Sequence, residues 1–309
     1  MSDKIWDVAI IGGGPAGLTA YLYARRALLE ALLIEKGPIG GQVLLTDLIE
    51  NYPGFPEGIP GYELIQKMQE QVEKYGLNLV QKKAIALKPE GELKEILLED
   101  KEVVKARTVI LALGAGMRKL GIPGEKELTG KGVSYCATCD GPFFKNQIVA
   151  VIGGGNTALQ EALYLTKFAK KVYLIHRRDA FRATPILQQR VKENPKIEII
   201  WNTVLKEIKG KDSVEGVVTY NRQTGEEGFL EVAGVFIFIG HEPETEWLKG
   251  VVELDEKGFI LVNQNMETSL KGVYACGDCI SKPFRQIINA CGEGAVAALS
   301  AEKYLESSH

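Results

Sequence analysis

Two cysteines and an aspartate, Cys136, Cys139 and Asp140, are the residues whose types and spacing point most directly to chemistry. A Cys-x-x-Cys pair can close and reopen a small disulfide ring, and this spacing often lowers the pKa of one thiol enough to form a thiolate near neutral pH. The adjacent carboxyl can pass a proton to or from a leaving thiolate, as thiol–disulfide exchange requires. Half of a zinc site, or two buried thiols, would give the same spacing. The elements around the cysteines must decide between these interpretations.

A nucleotide-binding fingerprint lies far upstream, at the N-terminus. The apolar run 6–11 predicts a parallel strand buried on both faces, and residues 18–26 predict the helix that follows the glycine-rich turn. The turn residues expected to contact a dinucleotide are Gly12, Gly14, Pro15, Ala16 and Gly17. Glu35 ends the next predicted strand about 20 residues later, where an acid can bind a ribose hydroxyl.

The same strand–turn–helix pattern returns directly behind the cysteines as an internal repeat. The residues expected to form this second cradle are Gly153, Gly155, Asn156, Thr157 and Ala158. At the position equivalent to Glu35 the repeat has His176, and a basic cluster follows: Arg177, Arg178 and Arg182. An acid suits a ribose with a free 2′-hydroxyl, whereas arginines offer forked donors to a phosphate. The first repeat is therefore predicted to hold FAD or NAD, and the second NADP.

These repeats predict an α/β fold of two three-layer, Rossmann-like domains, with the second domain inserted into the first. We expect residues 1–114 and 245–309 to form the FAD domain, and residues 115–244 to form the NADPH domain that carries the cysteines. Near the C-terminus a predicted strand ends in Gly277-Asp278. There a carboxylate can hold a ribityl hydroxyl, while the helix that follows stabilises negative charge on a reduced flavin.

Composition and charge exclude several other classes. A net charge of −3 gives no sign of a nucleic-acid or anionic-membrane partner. No apolar run approaches the length of a membrane span, and the N-terminus does not have the pattern of a signal peptide. The 5 cysteines are odd in number and scattered, which favours a cytoplasmic protein with one catalytic disulfide over a secreted disulfide framework.

Together these motifs resemble the low-molecular-weight thioredoxin reductases, along the whole chain. Further family motifs assign cofactor contacts to residues outside the two cradles, namely Gly41, Gln42, Asn51, Arg285 and Gln286. The resemblance implies a homodimer that moves electrons from NADPH through FAD to a Cys136–Cys139 disulfide and then to thioredoxin. It places Cys139 against the flavin, makes Cys136 the thiol that attacks thioredoxin, and gives the proton transfer to Asp140. It also places an apolar docking patch for thioredoxin at residues 142–144.

Four departures from the family pattern accompany the resemblance. Glu35 is not a constant feature of the family, so its predicted ribose role rests on its register alone. Leu113 stands where the family usually has Thr, and Gln160 replaces a common acid. Cys276 and Cys279 form a second Cys-x-x-Cys, which could complete a four-thiolate zinc site with the first pair, although the flavin and redox roles are favoured and no metal is predicted. The alternative functions are a related flavin disulfide reductase or dithiol oxidase with another acceptor, and a redox-sensing flavoprotein adaptor without turnover.

Overall fold

The protein's structure, a computed structural model, describes residues 4–46, 49 and 51–307, without the side chains of Leu45, Thr138, Cys139 and His241. The chain divides into two compact units. The discontinuous unit consists of Met1–Gly116 and Glu242–His309, and the inserted unit is Met117–His241. Among the described residues, no helix has both the length and the apolar character needed to cross a membrane.

The elements follow one another in three groups. The discontinuous unit begins with β1 (Ile5–Ile11), α1 (Pro15–Arg26), β2 (Ala31–Ile34), α2 (Gly61–Glu73), β3 (Leu79–Val80), β4 (Ala84–Glu90), β5 (Leu93–Leu98) and β6 (Val103–Leu111). After β7 (Gly116–Met117) come β8 (Val133–Ser134), α3 (Ala137–Asp140), β9 (Ile148–Ile152), α4 (Asn156–Leu165), β10 (Lys171–Ile175), α5 (Pro185–Glu193), β11 (Ile197–Ile200), β12 (Thr203–Lys209), β13 (Gly216–Asn221), β14 (Glu227–Glu231) and β15 (Gly234–Ile237). The chain closes with β16 (His241–Glu242), β17 (Val273–Ala275) and α6 (Ile287–Ser307).

The discontinuous unit is organised around β1, which pairs in parallel with β2 on one side and β6 on the other. Its sheet has the order β3-β2-β1-β6-β5-β4, and β17 also pairs with β6. Val8 and Ile10 pack into a core shared with α1 and α6, whereas Ala9 and Ile11 enter the core on the opposite face. Because successive side chains of a strand point to opposite faces, a strand covered on both sides is apolar throughout.

The inserted unit repeats this design with a parallel sheet in the order β11-β10-β9-β15-β8. One face of that sheet packs against α4 and α5. The other face packs against the antiparallel sheet β12-β13-β14, where Ala150 and Ile152 meet Leu205 and Val217. Helices, parallel sheet and antiparallel sheet form three layers, and the predicted α/β fold class is confirmed.

Candidate active site and nucleotide-binding loops

The turn between β1 and α1 has no room for side chains at two of its glycines. Gly12 has a φ of 111°, and a Cβ placed there would lie 2.1 Å from the Ala112 carbonyl oxygen. A Cβ at Gly17 would lie 1.8 Å from the Gly12 carbonyl oxygen, so only glycine lets α1 pack on the turn. A Cβ placed at Gly14 would have no neighbouring heavy atom within 4 Å, and α1 begins at Pro15. The turn is therefore an open cradle at a helix N-terminus, which suits a pyrophosphate.

The turn between β9 and α4 has the same construction. Gly153 has a φ of 152°, and a Cβ there would lie 2.3 Å from the Phe238 carbonyl oxygen, while the space at Gly155 is open to 4 Å. Ala158 takes the place of the third glycine and is fully buried. Asn156 accepts a hydrogen bond from the Thr184 N–H at 2.8 Å, and Thr157 follows it in the exposed first turn of α4. The predicted repeat is thus a second open cradle.

Glu35 braces the first cradle with both carboxylate oxygens. It accepts the Gly13 N–H at 2.6 Å and the Gly37 N–H at 2.8 Å. It also lines a cleft in the discontinuous unit, and this position is compatible with its predicted ribose role. Sequence reasoning missed other residues of this cleft, which are Lys36, Lys82, Lys83, Glu244 and Trp247, and it did not anticipate that Leu113 borders it. These lysines could have been expected at the cleft because residues 82–83 follow β3. The carboxyl end of β3 lies at the same sheet edge as the carboxyl end of β2.

The fold brings Gly277-Asp278 against the first cradle, although the two are far apart in the chain. A Cβ at Gly277 would lie 2.9 Å from the Cβ of Ala16, and one at Gly294 of α6 would lie 2.2 Å from the Ala16 carbonyl oxygen. The Asp278 Oδ1 atom is buried and accepts no hydrogen bond among the described residues, although Lys282 Nζ lies 3.3 Å away as an ion-pair partner. A buried carboxylate oxygen without a donor is costly. A hydroxyl-bearing ligand such as a ribityl chain would supply the missing donor.

A buried ion pair, which sequence reasoning missed, holds this segment. Lys282 Nζ lies 2.8 and 3.1 Å from the two carboxylate oxygens of Glu293 and 3.3 Å from Asp278 Oδ1. Glu293 also accepts the Gly277 N–H at 2.9 Å. The Lys282 side chain is only 8% exposed. The pair therefore joins α6 to the strand end that presents Asp278.

The remaining predicted flavin residues occupy two groups near these elements. Asn51 donates to the Gln286 side-chain oxygen at 2.9 Å. Arg285 donates at 3.3 Å to three carbonyl oxygens, those of Asp278, Ile280 and Lys282. Gly41 approaches Gly14, since a Cβ there would lie 3.9 Å from the Gly14 Cα, and Gln42 is exposed on the same turn. Arg285 thus orders the segment around Asp278 through its backbone.

His176 lies beneath the second cradle. It is 4% exposed, and a Cβ at Gly154 would lie 2.3 Å from its ring. The ring packs near Phe181 and Trp201, and its Nε2 lies 3.1 Å from the Ala180 carbonyl oxygen. Burial lowers the pKa of His176, which favours the neutral ring. In this position His176 supports the loop through packing.

The three predicted arginines are exposed on the turn after β10. The Arg182 N–H donates to the Gly154 carbonyl at 2.8 Å, which holds this basic turn against the second cradle. Partial burial, followed by the positive charges of Arg178, Arg182, Arg222 and Arg118, lowers the pKa of Arg177. None of these five arginines forms an ion pair with a carboxylate in the described parts of the chain. The cluster is suited to an anion.

Cys136 is disulfide-bonded and lies just before the one-turn helix α3. Its N–H donates to Ser134 Oγ at 3.0 Å, and its carbonyl accepts the Asp140 N–H at 3.2 Å. Ala137 is fully buried in the core shared with α4, which anchors the helix. The predicted contact of Cys139 with the flavin concerns a side chain outside the described residues. The Cys136 disulfide and the half-buried Asp140 therefore lie within one short, backbone-bonded segment.

The predicted docking patch divides into two parts. Phe143 is 77% exposed, as a docking residue must be. Phe144 is buried and packs edge-on against Phe236, with the ring centroids 5.2 Å apart. A Cβ at Gly234 would lie 2.4 Å from the Phe144 ring, so this aromatic belongs to the core of the inserted unit. Phe143 is the aromatic of the patch that is free to meet a partner.

The other three cysteines, Cys276, Cys279 and Cys291, are free and buried. Burial raises the pKa of Cys276 well above its ordinary value and that of Cys279 to about 11. Cys279 Sγ donates to the carbonyls of Leu111 and Cys276, at 3.4 and 3.2 Å. Buried, un-ionised thiols are poor nucleophiles and poor ligands. Within the described residues, no group of three or more His, Cys, Asp or Glu is placed to hold a metal ion.

Comparison with known proteins agrees with this geometry. The pyridine nucleotide-disulphide oxidoreductase family matches residues 6–294. The thioredoxin reductase of Mycolicibacterium smegmatis is 48% identical over 98% of both chains. This chain belongs to the thioredoxin reductase family. The resemblance drawn from its motifs is confirmed.

Solved structures of other thioredoxin reductases extend the comparison. The Lactococcus lactis thioredoxin reductase in its FR conformation is 44% identical, with a TM-score of 0.89 over 98% of this chain and 99% of that one. A ferredoxin-flavin thioredoxin reductase from Clostridium acetobutylicum is 30% identical, with a TM-score of 0.55 over 99% of each chain. The name of this last neighbour includes ferredoxin, so the electron donor of the present chain must be argued from its own residues.

Glu161 is a half-buried acid on α4 that sequence reasoning missed. It lies three residues after Ala158 and four residues before Leu165, so it shares the face of α4 on which Ala158, Ala162 and Leu165 pack into the core. Its Oε2 atom is buried and has no hydrogen-bond partner among the described residues. Burial raises the pKa of Glu161 from 4.5 to about 7. The sequence could have indicated this residue, because it has an acid at a position where the helical pattern predicts an apolar side chain.

This raised pKa predicts a pH-dependent loss of stability. The folded pKa lies above the unfolded value, so the folded state is favoured when the acid is protonated, and that advantage falls as pH rises from about 4.5 to about 7. Glu161→Gln removes the titration. The variant should gain roughly 2–3 kcal/mol over the parent between pH 5 and pH 8. Urea unfolding at both pH values measures this difference.

The control for this experiment is Glu193→Gln, which changes an exposed carboxyl of the same unit. Its effect on the free energy of unfolding should be the same at pH 5 and pH 8. A Glu161→Gln effect that is equally independent of pH would contradict the assignment of a raised pKa.

The Lys282–Glu293 pair predicts a second stability effect. Lys282→Met leaves the Glu293 carboxylate buried beside Asp278 without a counter-charge. Breaking a buried ion pair from one side typically costs about 3–5 kcal/mol. We expect a loss of this size in the free energy of unfolding, measured by urea titration. Adding Glu293→Gln, which keeps an acceptor for the Gly277 N–H, should recover part of the loss.

Lys249→Met is the matched control, since Lys249 pairs with Glu246 on the surface with both side chains largely exposed. An exposed pair of this kind contributes about 0–1 kcal/mol. If Lys282→Met and Lys249→Met proved equally mild, the Lys282–Glu293 pair would not be what holds the Asp278 segment.

Proposed function

We propose that this chain is an NADPH-dependent thioredoxin reductase, in which FAD passes electrons to a Cys136–Cys139 disulfide. The observation that carries this proposal is a disulfide-bonded Cys136 in the same compact unit as an open dinucleotide cradle and a cluster of arginines that form no ion pair with the carboxylates that the structure describes. A redox-active disulfide and a phosphate-binding nucleotide site in one unit suit a disulfide reductase driven by a phosphorylated nicotinamide cofactor.

FAD is assigned to the discontinuous unit, the predicted domain of residues 1–114 and 245–309. The open position at Gly14 accepts the pyrophosphate, and Glu35 faces the adenosine ribose from the neighbouring strand end. The buried Asp278 Oδ1 atom, which accepts no hydrogen bond from the described residues and has Lys282 Nζ 3.3 Å away, would accept a ribityl hydroxyl. The N-terminus of α6 adds its positive dipole end beside this segment.

NADPH is assigned to the inserted unit, the predicted domain of residues 115–244. Gly155 offers the second open cradle, and the basic turn that begins with Arg177 provides guanidinium donors for a 2′-phosphate. This cluster argues for NADPH over NADH, because NADH lacks the 2′-phosphate and would give the arginines no partner.

Bound FAD supplies two-electron transfer between the nicotinamide of NADPH and the disulfide. The Cys136 thiolate then attacks one sulfur of the thioredoxin disulfide, which forms an intermolecular disulfide and expels one thioredoxin thiolate. The Cys139 thiolate attacks Cys136 Sγ, expels the second thioredoxin thiolate and restores the internal disulfide. Two electrons and one proton come from NADPH, and the second proton comes from solvent. Asp140 passes protons between the thiols and solvent.

Thioredoxin is the proposed partner, and the exposed Phe143 beside the redox segment is its proposed apolar contact. We further propose a homodimer located in the cytoplasm, where thiols are kept reduced and a lone catalytic disulfide is expected. Turnover with NADPH and a panel of thioredoxins, peroxiredoxins and small disulfides tests the acceptor. A preference for a small disulfide over every thioredoxin would favour the alternative reductase, and the absence of any turnover would favour the adaptor.

The nucleotide assignment predicts a change of cofactor preference. Arg177→Gln removes a charge-assisted hydrogen bond to the 2′-phosphate, worth on the order of 1.5–3 kcal/mol. The kcat/KM for NADPH should fall about 10–100-fold, while that for NADH changes little. Steady-state rates with both nucleotides measure the ratio. Lys192→Gln, an exposed cation on α5, serves as the control, and an unchanged ratio in Arg177→Gln would count against NADPH.

The thiol assignment predicts opposite behaviour of two variants. Cys139→Ser leaves Cys136 free to attack thioredoxin with no second thiol to resolve the product, so a stable intermolecular disulfide should accumulate. Cys136→Ser should trap no thioredoxin, and its Cys139 thiolate beside oxidised FAD should add a long-wavelength absorbance band. Non-reducing electrophoresis and visible spectra of both variants measure the outcome. Trapping only in Cys136→Ser, with the band only in Cys139→Ser, would reverse the roles.

A further inference from the structure

Asn202 connects two turns of the inserted unit that are distant in the chain. Its N–H donates to the Arg178 carbonyl at 3.2 Å, and its own carbonyl accepts the Arg222 N–H at 2.7 Å. Its side-chain amide donates to the Gln223 side-chain oxygen at 3.0 Å. Asn202 has a φ of 55°, in the left-handed region that asparagine tolerates better than most residues. The turn after β13 is thereby tied to the basic turn after β10.

The turn that carries Arg222 is itself well ordered. Asn221 Oδ1 accepts the N–H groups of Gln223 and Thr224, at 2.9 and 3.1 Å. The Gly225 N–H donates to the Asn221 carbonyl at 2.9 Å and closes the turn. The backbone of Arg222 is therefore held from both sides, and its long side chain extends from a defined point.

The charge of Arg222 acts on the basic turn. Arg222 is exposed, is among the cations whose charge bears on Arg177, and has no carboxylate ion pair among the described residues. The other cations that face Arg177 are Arg178 and Arg182 on its own turn and Arg118 after β7. Five unpaired guanidinium groups repel one another, in a chain whose net charge is −3. Such a cluster becomes favourable when a multiply charged anion lies within it.

We propose that Arg222, tethered through Asn202, supplies a further guanidinium to the 2′-phosphate of NADPH and helps to set the preference for NADPH over NADH. The proposal rests on the assigned NADPH site and adds a residue from a different sheet to it. The expected donors to the phosphate thus come from two elements, the turn after β10 and the turn after β13. Asn202 is a positioning residue, since it acts through the backbone of Arg178 and Arg222.

The test compares 2′,5′-ADP, which carries the 2′-phosphate, with 5′-ADP, which does not. Isothermal titration of the FAD-loaded protein gives the dissociation constant of each. Arg222→Gln should weaken 2′,5′-ADP about tenfold and leave 5′-ADP unchanged, as expected for one exposed charge-assisted contact. Arg190→Gln, an exposed arginine on α5 outside the cluster, is the matched control and should change neither constant.

Arg177→Gln in the same titration separates the two proposals. If Arg177→Gln weakens 2′,5′-ADP and Arg222→Gln does not, the role of Arg222 is overturned and the NADPH site stands. If neither variant has an effect, the NADPH site and the role of Arg222 both fail. Equal weakening of 2′,5′-ADP and 5′-ADP by Arg222→Gln would also overturn the proposal, because the contact would not concern the 2′-phosphate.

Asn202 offers an independent check. Asn202→Gly keeps the left-handed backbone and both backbone bonds, so 2′,5′-ADP binding should stay within about threefold of the parent. Asn202→Val disfavours that conformation and should weaken 2′,5′-ADP selectively, with 5′-ADP unchanged. If Asn202→Gly lost as much 2′,5′-ADP affinity as Asn202→Val, the backbone tether would not be what positions Arg222.

Discussion

Close contact between backbone atoms at the two strand-to-helix turns is the constraint on which the rest of this molecule depends. At Gly12 and Gly153 the chain passes so near to a neighbouring carbonyl that no side chain fits. This closeness aims the N-terminus of the next helix at open space beside Gly14 and Gly155. Each unit thereby presents the backbone N–H groups of a helix N-terminus at one sheet edge. Glu35 is hydrogen-bonded to the first cradle, and the basic turn is hydrogen-bonded to the second.

The two cradles share a shape and differ in charge. In the first, the Glu35 carboxylate accepts hydrogen bonds from the Gly13 N–H of the cradle and from the Gly37 N–H just after β2, which hold this acid against the loop. In the second, the equivalent position belongs to the neutral His176 ring, and the exposed turn beside it concentrates arginines without acidic partners. Since both loops have similar backbone geometry, the difference between the nucleotides they are proposed to hold comes from side chains at the second strand end.

Differences in burial give groups of the same chemical type different reactivity. Cys276 and Cys279 are held un-ionised by their surroundings, whereas Cys136 belongs to a disulfide on a short segment at the edge of a core. Among the acids, Glu293 is buried with a lysine, while Glu161 has one buried oxygen without a hydrogen-bond partner among the described residues. Burial without a partner favours the neutral acid, and a buried counter-ion favours the charged one.

The sequence by itself determined the fold class, the two cradles and the family, because these depend on local patterns: continuous apolar strands, glycine spacing and a Cys-x-x-Cys. The tertiary structure decided the rest, since it depends on which distant segments pack together. It placed Gly277 against Ala16, joined Arg222 to the basic turn through Asn202, and buried the Glu161 Oε2 atom. It also put the His176 ring beneath the second cradle. Gly154 has no side chain to occupy this space, and the rings of Phe181 and Trp201 pack beside it. The register of the repeat predicted a cofactor contact for His176 but could not show this packing.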